Sequence, residues 1–389
     1  MTGPYPPVVP PATLGMLGGG QLGKYALVAA NAMGYRTVVV DPDARAPAAV
    51  VADTHLATAY DDDATLARLG ADCAVVTTEF ENAPAAALER LAADVRVAPS
   101  AAAVAVAQDR IVEKTFLSEH GIAVGPFVAA PVGLTDAARD RAHELAGTGA
   151  VVKTARLGYD GKGQRRVASP GELDAALAEF ATDCTVEALL DLRLEVSVVV
   201  ARHPSGEVRH WPVTENVHVD GILDLSVAPA RIDGDLAERA VELATSVAER
   251  LDYVGVLAVE MFVVDDDRLL VNEIAPRPHN SGHWTLDASV TSQFEQQVRA
   301  VCGVGLGDTA MTAPAVAMVN LLGDLWFARG GDAVAPDWIV ALSEPAATLH
   351  LYGKSEPRPG RKMGHLTVTA ASADEAAVRA QELRAALTR

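Results

Sequence analysis

Residues 256–274 constrain this chain more than any other segment. Two apolar runs, 256–264 and 269–274, flank the polar turn Asp265-Asp266-Asp267-Arg268, which is the pattern of a β-hairpin. A turn centred between Asp266 and Asp267 sets Val264 opposite Leu269 and, further along, Glu260 opposite Glu273. Directly opposed residues have Cβ atoms about 4.5–5.5 Å apart, where like charges destabilise a sheet. Two carboxylates so placed in apolar strands can share a proton, face solvent on an open sheet, or hold a divalent cation such as Mg²⁺. Asn272, beside Glu273, adds an oxygen donor and favours the cation.

The chain has 389 residues, enough for two or three domains at roughly 150 residues each. Half of it is hydrophobic and 21% charged, so it can bury a core and is not disordered. Its formal charge of −19 repels nucleic acid and anionic membrane surfaces, so neither is expected as a partner. No apolar run approaches the ~20 residues that span a bilayer. Four prolines lie before residue 11, without the basic and apolar regions of a signal peptide, and residues 1–11 read as a flexible arm. Cys73, Cys184 and Cys302 are far apart and in no metal or disulfide spacing. A reducing cytoplasm fits them, each as a small core hydrophobe.

Apolar runs at 13–17, 37–40, 74–77 and 95–97 alternate with helical stretches, the rhythm of a doubly wound parallel sheet. One Ala-rich helix is expected over 101–120, stopped by Gly121. From about 122 the strands 150–153, 184–187, 194–201 and 255–264 and a helix over 235–251 indicate an α+β region. Short strands at 348–352 and 365–370 and a helix over 374–387 form a small β-rich end unit.

Three further segments carry chemistry. Gly18, Gly20 and Gly23 follow a strand, open a helix and match a dinucleotide-binding loop, or merely a tight strand-to-helix turn. Either way the loop faces a crevice at the carboxyl ends of the strands, with Gln21 and residues 77–82 able to line it. Lys153 ends a strand and is followed by Gly158-Tyr159-Asp160-Gly161-Lys162-Gly163-Gln164, either a flap whose N–H groups close over phosphates or an ordinary hairpin loop. Arg110 and His218 are further cationic candidates. Lys354, Arg358, Arg361 and Lys362, stiffened by two prolines, reverse the overall charge locally and form a candidate anion pocket, or a solvated charge run. Between hairpin and tail, residues 274–285 concentrate Arg, His, Asn and Ser; Gly282 and the prolines deny His279 and His283 the helix of a zinc pair.

Together these motifs resemble the ATP-grasp superfamily, and within it the branch that carboxylates 5-aminoimidazole ribonucleotide in purine biosynthesis. The residues that carry the resemblance are Gly18 to Gly23, Gly158 to Gln164, Asn272-Glu273-Ile274-Ala275-Pro276-Arg277 through Gly282-His283-Trp284-Thr285, and Tyr352-Gly353-Lys354 with Arg358 to His365. The resemblance implies α/β and α+β architecture: an N-terminal doubly wound parallel-sheet pre-grasp domain over 12–107, an ATP-grasp domain over 108–302 with a mobile flap at 156–165, and a small β-rich C-terminal domain over 303–389. It implies an ATP-dependent ligase. Arg110, Lys153, the flap, Glu187, Ala188, Leu189, Leu190, Glu195, His218, Asn272 and Glu273 match nucleotide-binding positions, and Glu260 and Glu273 match ligands of Mg²⁺, or Mn²⁺. Gln21, Tyr159, Asp160, Lys162, Lys354, Arg361 and Lys362 match contacts to the ribonucleotide; Lys153, Arg277, His279 and Asn280 are the candidate catalytic residues, the last three for bicarbonate. Lys162 stands where many relatives have Arg, which keeps the charge but loses the bidentate fork. A homodimer in the cytoplasm is further implied. The competing readings are a formate-using ligase acting on glycinamide ribonucleotide, an NAD-dependent oxidoreductase, and a non-catalytic nucleotide sensor.

Overall fold

A computed structural model describes residues 5–158 and 161–388. The first unit holds β1 (Thr13–Leu17), α1 (Gln21–Ala32), β2 (Arg36–Val40), β3 (Thr54–Leu56), α2 (Asp63–Asp72), β4 (Val75–Thr78), α3 (Ala85–Leu91) and β5 (Arg96–Val97). Its sheet is parallel throughout, in the order β3-β2-β1-β4-β5. Such a sheet must be covered on both faces. Leu14, Met16 and Val39 pack to one side with α1, while Leu17, Val38 and Val40 pack to the other against α2 and α3. Strand order reverses between β1 and β4, which places the binding crevice at their carboxyl ends.

The single helix expected over 101–120 is two, α4 (Ala101–Ala107) and α5 (Arg110–Glu119). Asp109 Oδ1 accepts from the N–H groups of Ile111 and Val112, so it caps a new helix instead of continuing the old one. That break aims Arg110 at the cleft.

A four-stranded antiparallel sheet in the order β6-β9-β7-β8 follows, built from β6 (Phe127–Ala130), β7 (Ala150–Thr154), β8 (Gln164–Val167) and β9 (Cys184–Ala188). The helices α6 (Asp136–Thr148) and α7 (Pro170–Phe180) cover one of its faces. The remaining strands make one large sheet: β10 (Leu194–Arg202), β11 (Val208–His210), β12 (Thr214–Val219), β13 (Ile222–Ala228), β14 (Gly255–Val264), β15 (Arg268–Ala275), β16 (Ala315–Leu322), β17 (Ala347–Leu351) and β18 (Lys362–Ala370). Its order is β15-β14-β10-β12-β13-β16-β18-β17, with β11 beside β10. The last three strands continue this sheet through the β13–β16 pairing. Helix α8 (Gly234–Arg250) packs its Leu236, Ala240, Ala244 and Val247 against it, α9 (Thr285–Ala288) and α10 (Gln293–Cys302) follow the hairpin, and α11 (Trp338–Leu342) and α12 (Ala373–Ala386) cover the end.

The hairpin register differs from expectation in two places that offset each other. Val264 faces Arg268 rather than Leu269, because the turn is one residue tighter. A bulge between Glu260 and Met261 on one strand and Glu273 and Val271 on the other then absorbs Asn272, and Glu260 does face Glu273. Of the N-terminal arm, residues 5–11 are described, and two of them contact the body of the fold: Val8 N–H donates to Cys302 O at 2.8 Å, and Arg96 Nη2 donates to Pro6 O at 2.5 Å. All three cysteines are buried and unpaired, as expected. Among the described residues no helix is long and apolar enough to cross a membrane.

Candidate active site

A cleft of about 1140 Å³ opens where the three sheets meet. It is lined by Gln21, Arg110, Lys153, Gly158, residues 161–164, residues 187–190, Glu195, His218, Glu260, Asn272, Glu273, Arg277, His279, Asn280, Lys354, Arg361 and Lys362. These positions span more than 300 residues of sequence, and the fold brings them to one cavity. Tyr159 and Asp160 lie outside the described residues.

On the β9 side, Glu187 Oε2 accepts from Lys153 Nζ at 2.9 Å and lies 3.3 Å from Lys114 Nζ. Burial alone would raise this carboxyl, but the two ammonium groups and Arg110 outweigh it and bring it down to about 2. Lys153 is lowered in turn, because burial disfavours its charge more than Glu187 restores it. Lys153 Nζ also lies 3.4 Å from Asn272 Oδ1, so the bulge delivers an amide to the lysine. Further along, His218 Nδ1 and Glu195 Oε2 are 3.0 Å apart, and Glu195 with the Glu260–Glu273 pair raises the imidazole against the effect of burial.

The cation reading turns on the surroundings of the opposed carboxylates. Burial should raise both, yet both are held below the usual carboxylate range: Glu260 by His279, whose Nε2 is 2.9 Å away, and Glu273 by Arg110, whose Nη1 donates at 2.8 Å. A shared proton is therefore disfavoured. The solvated-face alternative fails for Glu260, which is 8% exposed, while the Glu273 side chain, 35% exposed, lines the cleft. Two ionised carboxylates with an amide oxygen beside them form a hard, anionic oxygen donor set, which suits Mg²⁺.

The segment after β15 is held from below. Gln293 donates to His279 O at 2.7 Å and accepts from His279 N–H at 2.8 Å, and Gly282 lies so close that a Cβ there would sit 2.7 Å from Gln293 Oε1. His279 Nδ1 accepts from Ser281 N–H at 3.3 Å, so with Nε2 facing Glu260 both ring nitrogens are engaged. Arg277 Nε donates to Glu81 at 2.5 Å. Asn280 is different: it is 6% exposed, lines the cleft, and neither side-chain polar atom has a protein partner among the described residues. A buried amide left so asks for a ligand. His283 and His365 are fully buried with ring centroids 4.8 Å apart, and His350 stacks on His365 at 4.4 Å.

The first glycine loop does not bind a dinucleotide phosphate in this arrangement. Its N–H groups are already satisfied from within: Gly20 and Gly23 donate to Glu79 at 2.6 and 2.8 Å, and Gly19 donates to Asp41 at 2.7 Å. A carboxylate occupies the position a pyrophosphate would need. The loop instead orders Glu79 and Gln21 at the rim of the cleft.

The basic segment 354–362 is a presented loop, as expected. Lys354 Nζ donates to Lys362 O at 2.8 Å, Gly323 N–H donates to Arg361 O at 2.8 Å, and Gly360 N–H donates to Asp324 Oδ2 at 2.7 Å. The loop therefore rests on the corner after β16.

Sequence reasoning overlooked Glu113 and Lys114, both on α5 and both almost fully buried, with Glu113 lining the cleft. Their spacing from Arg110 places them on its helix face, and that periodicity was the available signal. Glu113 is pushed up to about 8, first by burial and then by Glu273, against the pull of Arg110 and Lys114.

Comparison with known proteins agrees with this anatomy. Residues 11–108 match the ribonucleotide synthetase preATP-grasp domain, 115–294 the ATP-grasp domain, and 316–379 the phosphoribosylaminoimidazole carboxylase C-terminal domain. The chain is similar to N5-carboxyaminoimidazole ribonucleotide synthase of Brucella melitensis, 46% identical with 92% of this chain and 96% of that protein covered. It is 41% identical to the Bacillus subtilis synthase, over 95% and 94% of the two chains. Among solved structures, an ADP complex of N5-carboxyaminoimidazole ribonucleotide synthetase superposes with a TM-score of 0.89 at 37% identity, covering 97% of this chain and 98% of that one. The Aspergillus clavatus synthase with ADP and 5-aminoimidazole ribonucleotide gives 0.85 at 31%, covering 97% and 98%. With relatives matched along nearly their whole length and all three domain models in order, the chain belongs to the N5-carboxyaminoimidazole ribonucleotide synthase family of ATP-grasp ligases.

Proposed function

We propose that this enzyme uses ATP, Mg²⁺ and bicarbonate to carboxylate the exocyclic amine of 5-aminoimidazole ribonucleotide, giving N5-carboxyaminoimidazole ribonucleotide, ADP and phosphate. The observation that carries the reading is the meeting in one cleft of the opposed Glu260–Glu273 pair, Lys153 and the basic loop. Arg110, Lys153, the flap, residues 187–190, Glu195 and His218 would hold the nucleotide. Glu260 and Glu273, with Asn272 beside them, would hold Mg²⁺, which when bound would neutralise charge on the transferring phosphoryl group.

A bicarbonate oxygen attacks the γ-phosphorus, the bond to the β-γ bridging oxygen breaks, and ADP leaves. The resulting carboxyphosphate releases phosphate and CO₂ by cleaving its C–O bond. The amine attacks CO₂ and loses a proton as the carbamate forms. Lys153 supplies a fixed charge during the transfer, and Glu187 holds its ammonium in place; catalysis here is positioning and electrostatics. Asn280, with its unpartnered amide, and Arg277 beside it are the proposed bicarbonate contacts. His279 serves the site by holding Glu260, because its ring nitrogens are both engaged. Lys354, Arg361 and Lys362, with Gln21, Tyr159, Asp160 and Lys162, are the proposed ribonucleotide contacts, and closure over carboxyphosphate would exclude water. Domain limits at 107/108 and 302/303, homodimer assembly and a cytoplasmic location complete the proposal; the buried, unpaired cysteines support a reducing compartment.

The test is isotopic. With ¹⁸O-labelled bicarbonate, one label per turnover should appear in the released phosphate. Unlabelled phosphate would show that bicarbonate is not the nucleophile.

A further inference from the structure

Strand β15, which carries Asn272 and Glu273, lies at the edge of the nine-stranded sheet. Among the described residues its outward backbone groups have no neighbouring strand beyond one bridge, where Val271 N–H donates to Ala123 O at 2.8 Å. An edge strand with a bulge is free to slip or fray unless something takes up those groups. Two consecutive side chains of α5 do so. Glu113 Oε1 accepts from the N–H of Ile274 at 2.5 Å, and Lys114 Nζ donates to the carbonyl of Asn272 at 3.1 Å. Both side chains are nearly solvent-free, at 2% and 1% exposure, so neither contact competes with water. They bracket Glu273, one residue on each side. Lys114 also reaches the Glu187 carboxylate at 3.3 Å and thereby ties the edge of the large sheet to β9.

We propose that Glu113 and Lys114 are positioning residues that clamp the backbone of β15 on either side of Glu273, fixing the bulge and with it the direction of the Glu273 carboxylate and the Asn272 amide. They act through the strand, and neither needs to touch substrate. The effect on turnover rests on reading Glu273 as a metal ligand; the effect on the backbone does not.

Hydrogen exchange of the full-length protein, followed over 268–275, tests the clamp without turnover. In Glu113→Leu the Ile274 amide should exchange at least about tenfold faster, while β10 keeps its protection. The Mg²⁺ concentration for half-maximal velocity should rise roughly 10–100-fold, as for loss of partners that orient a ligand, with the KM for ATP at saturating Mg²⁺ little changed. Glu113→Gln keeps an acceptor oxygen and should stay near wild type in both readouts. Lys114→Met, which removes the carbonyl contact together with the Glu187 contact, is the second variant and should loosen the same segment. Thermal unfolding confirms that each variant is folded. Unchanged exchange at Ile274 in Glu113→Leu, or Glu113→Gln as impaired as Glu113→Leu, would overturn the proposal. Faster exchange with unaltered Mg²⁺ dependence would support the clamp and count against Glu273 as the ligand.

Discussion

Glu187 is one carboxylate facing two buried ammonium groups, and removing its charge leaves both without their partner. Breaking a buried pair in this way costs about 3–5 kcal/mol, so Glu187→Gln should be destabilised by that order in denaturant titrations near neutral pH. The folded carboxyl sits at about 2, below its ordinary 4.5. The stability it contributes is therefore present above the higher value and is lost as pH falls through the lower one. The gap between wild type and Glu187→Gln should shrink on acidification across that window, and a gap independent of pH would contradict the pairing. At Asn280, the unpartnered amide predicts a substrate-specific effect: Asn280→Ala should raise the KM for bicarbonate about 10–100-fold, the value of one hydrogen bond to a charged group, and leave that for ATP alone. An equal rise for both would remove Asn280 from the bicarbonate site. Glu273→Gln should lower kcat at least about 100-fold while its melting profile stays near wild type. Wild-type turnover there would refute the metal assignment.

The hairpin shows how far an element can be read from its residues. Apolar runs around an acidic turn located both strands, and the Glu260–Glu273 pairing followed from the turn centre. The bulge at Asn272 was not legible, because nothing in the alternation of side chains marks an inserted residue; the turn is one residue tighter than expected, and the two errors offset each other. The break between α4 and α5 was legible in principle, since Asp109 is a good cap, but the continuous Ala-rich pattern hid it. The first glycine loop misled for a different reason: its motif is satisfied by Glu79, 56 residues from Gly23, and only the tertiary fold brings that carboxylate in. For the basic loop the prediction lies in its support. A Cβ on Gly323 would sit 2.2 Å from the backbone oxygen of Arg358, so Gly323→Ala must push the loop outward. That variant should raise the KM for the ribonucleotide about tenfold or more, the effect of one weakened charge-assisted contact, with the KM for ATP unchanged. An unchanged ribonucleotide KM would separate the loop from the phosphate.

At the scale of the whole molecule, a chain of charge −19 is proposed to bind two anionic substrates. Their capture cannot come from the overall field and must come from local charge: Arg110 and Lys153 on one wall, the 354–362 loop on another, and a cation at the carboxylate pair. Lys153, Glu273 and Lys354 come from three regions of the sequence, and the continuous sheet from β15 to β17 carries two of them into register. The strand–helix rhythm and the charge reversal near the end could be read in advance. The convergence of these walls could not, because it depends on long-range pairings such as β13 with β16 that leave no local pattern. All these parts are proposed to serve one reaction. Phosphate release from ATP should therefore be followed with bicarbonate and Mg²⁺, with and without 5-aminoimidazole ribonucleotide. Release that depends on the ribonucleotide and is stoichiometric with N5-carboxyaminoimidazole ribonucleotide is the predicted result; release indifferent to the ribonucleotide, or requiring formate in place of bicarbonate, would contradict it.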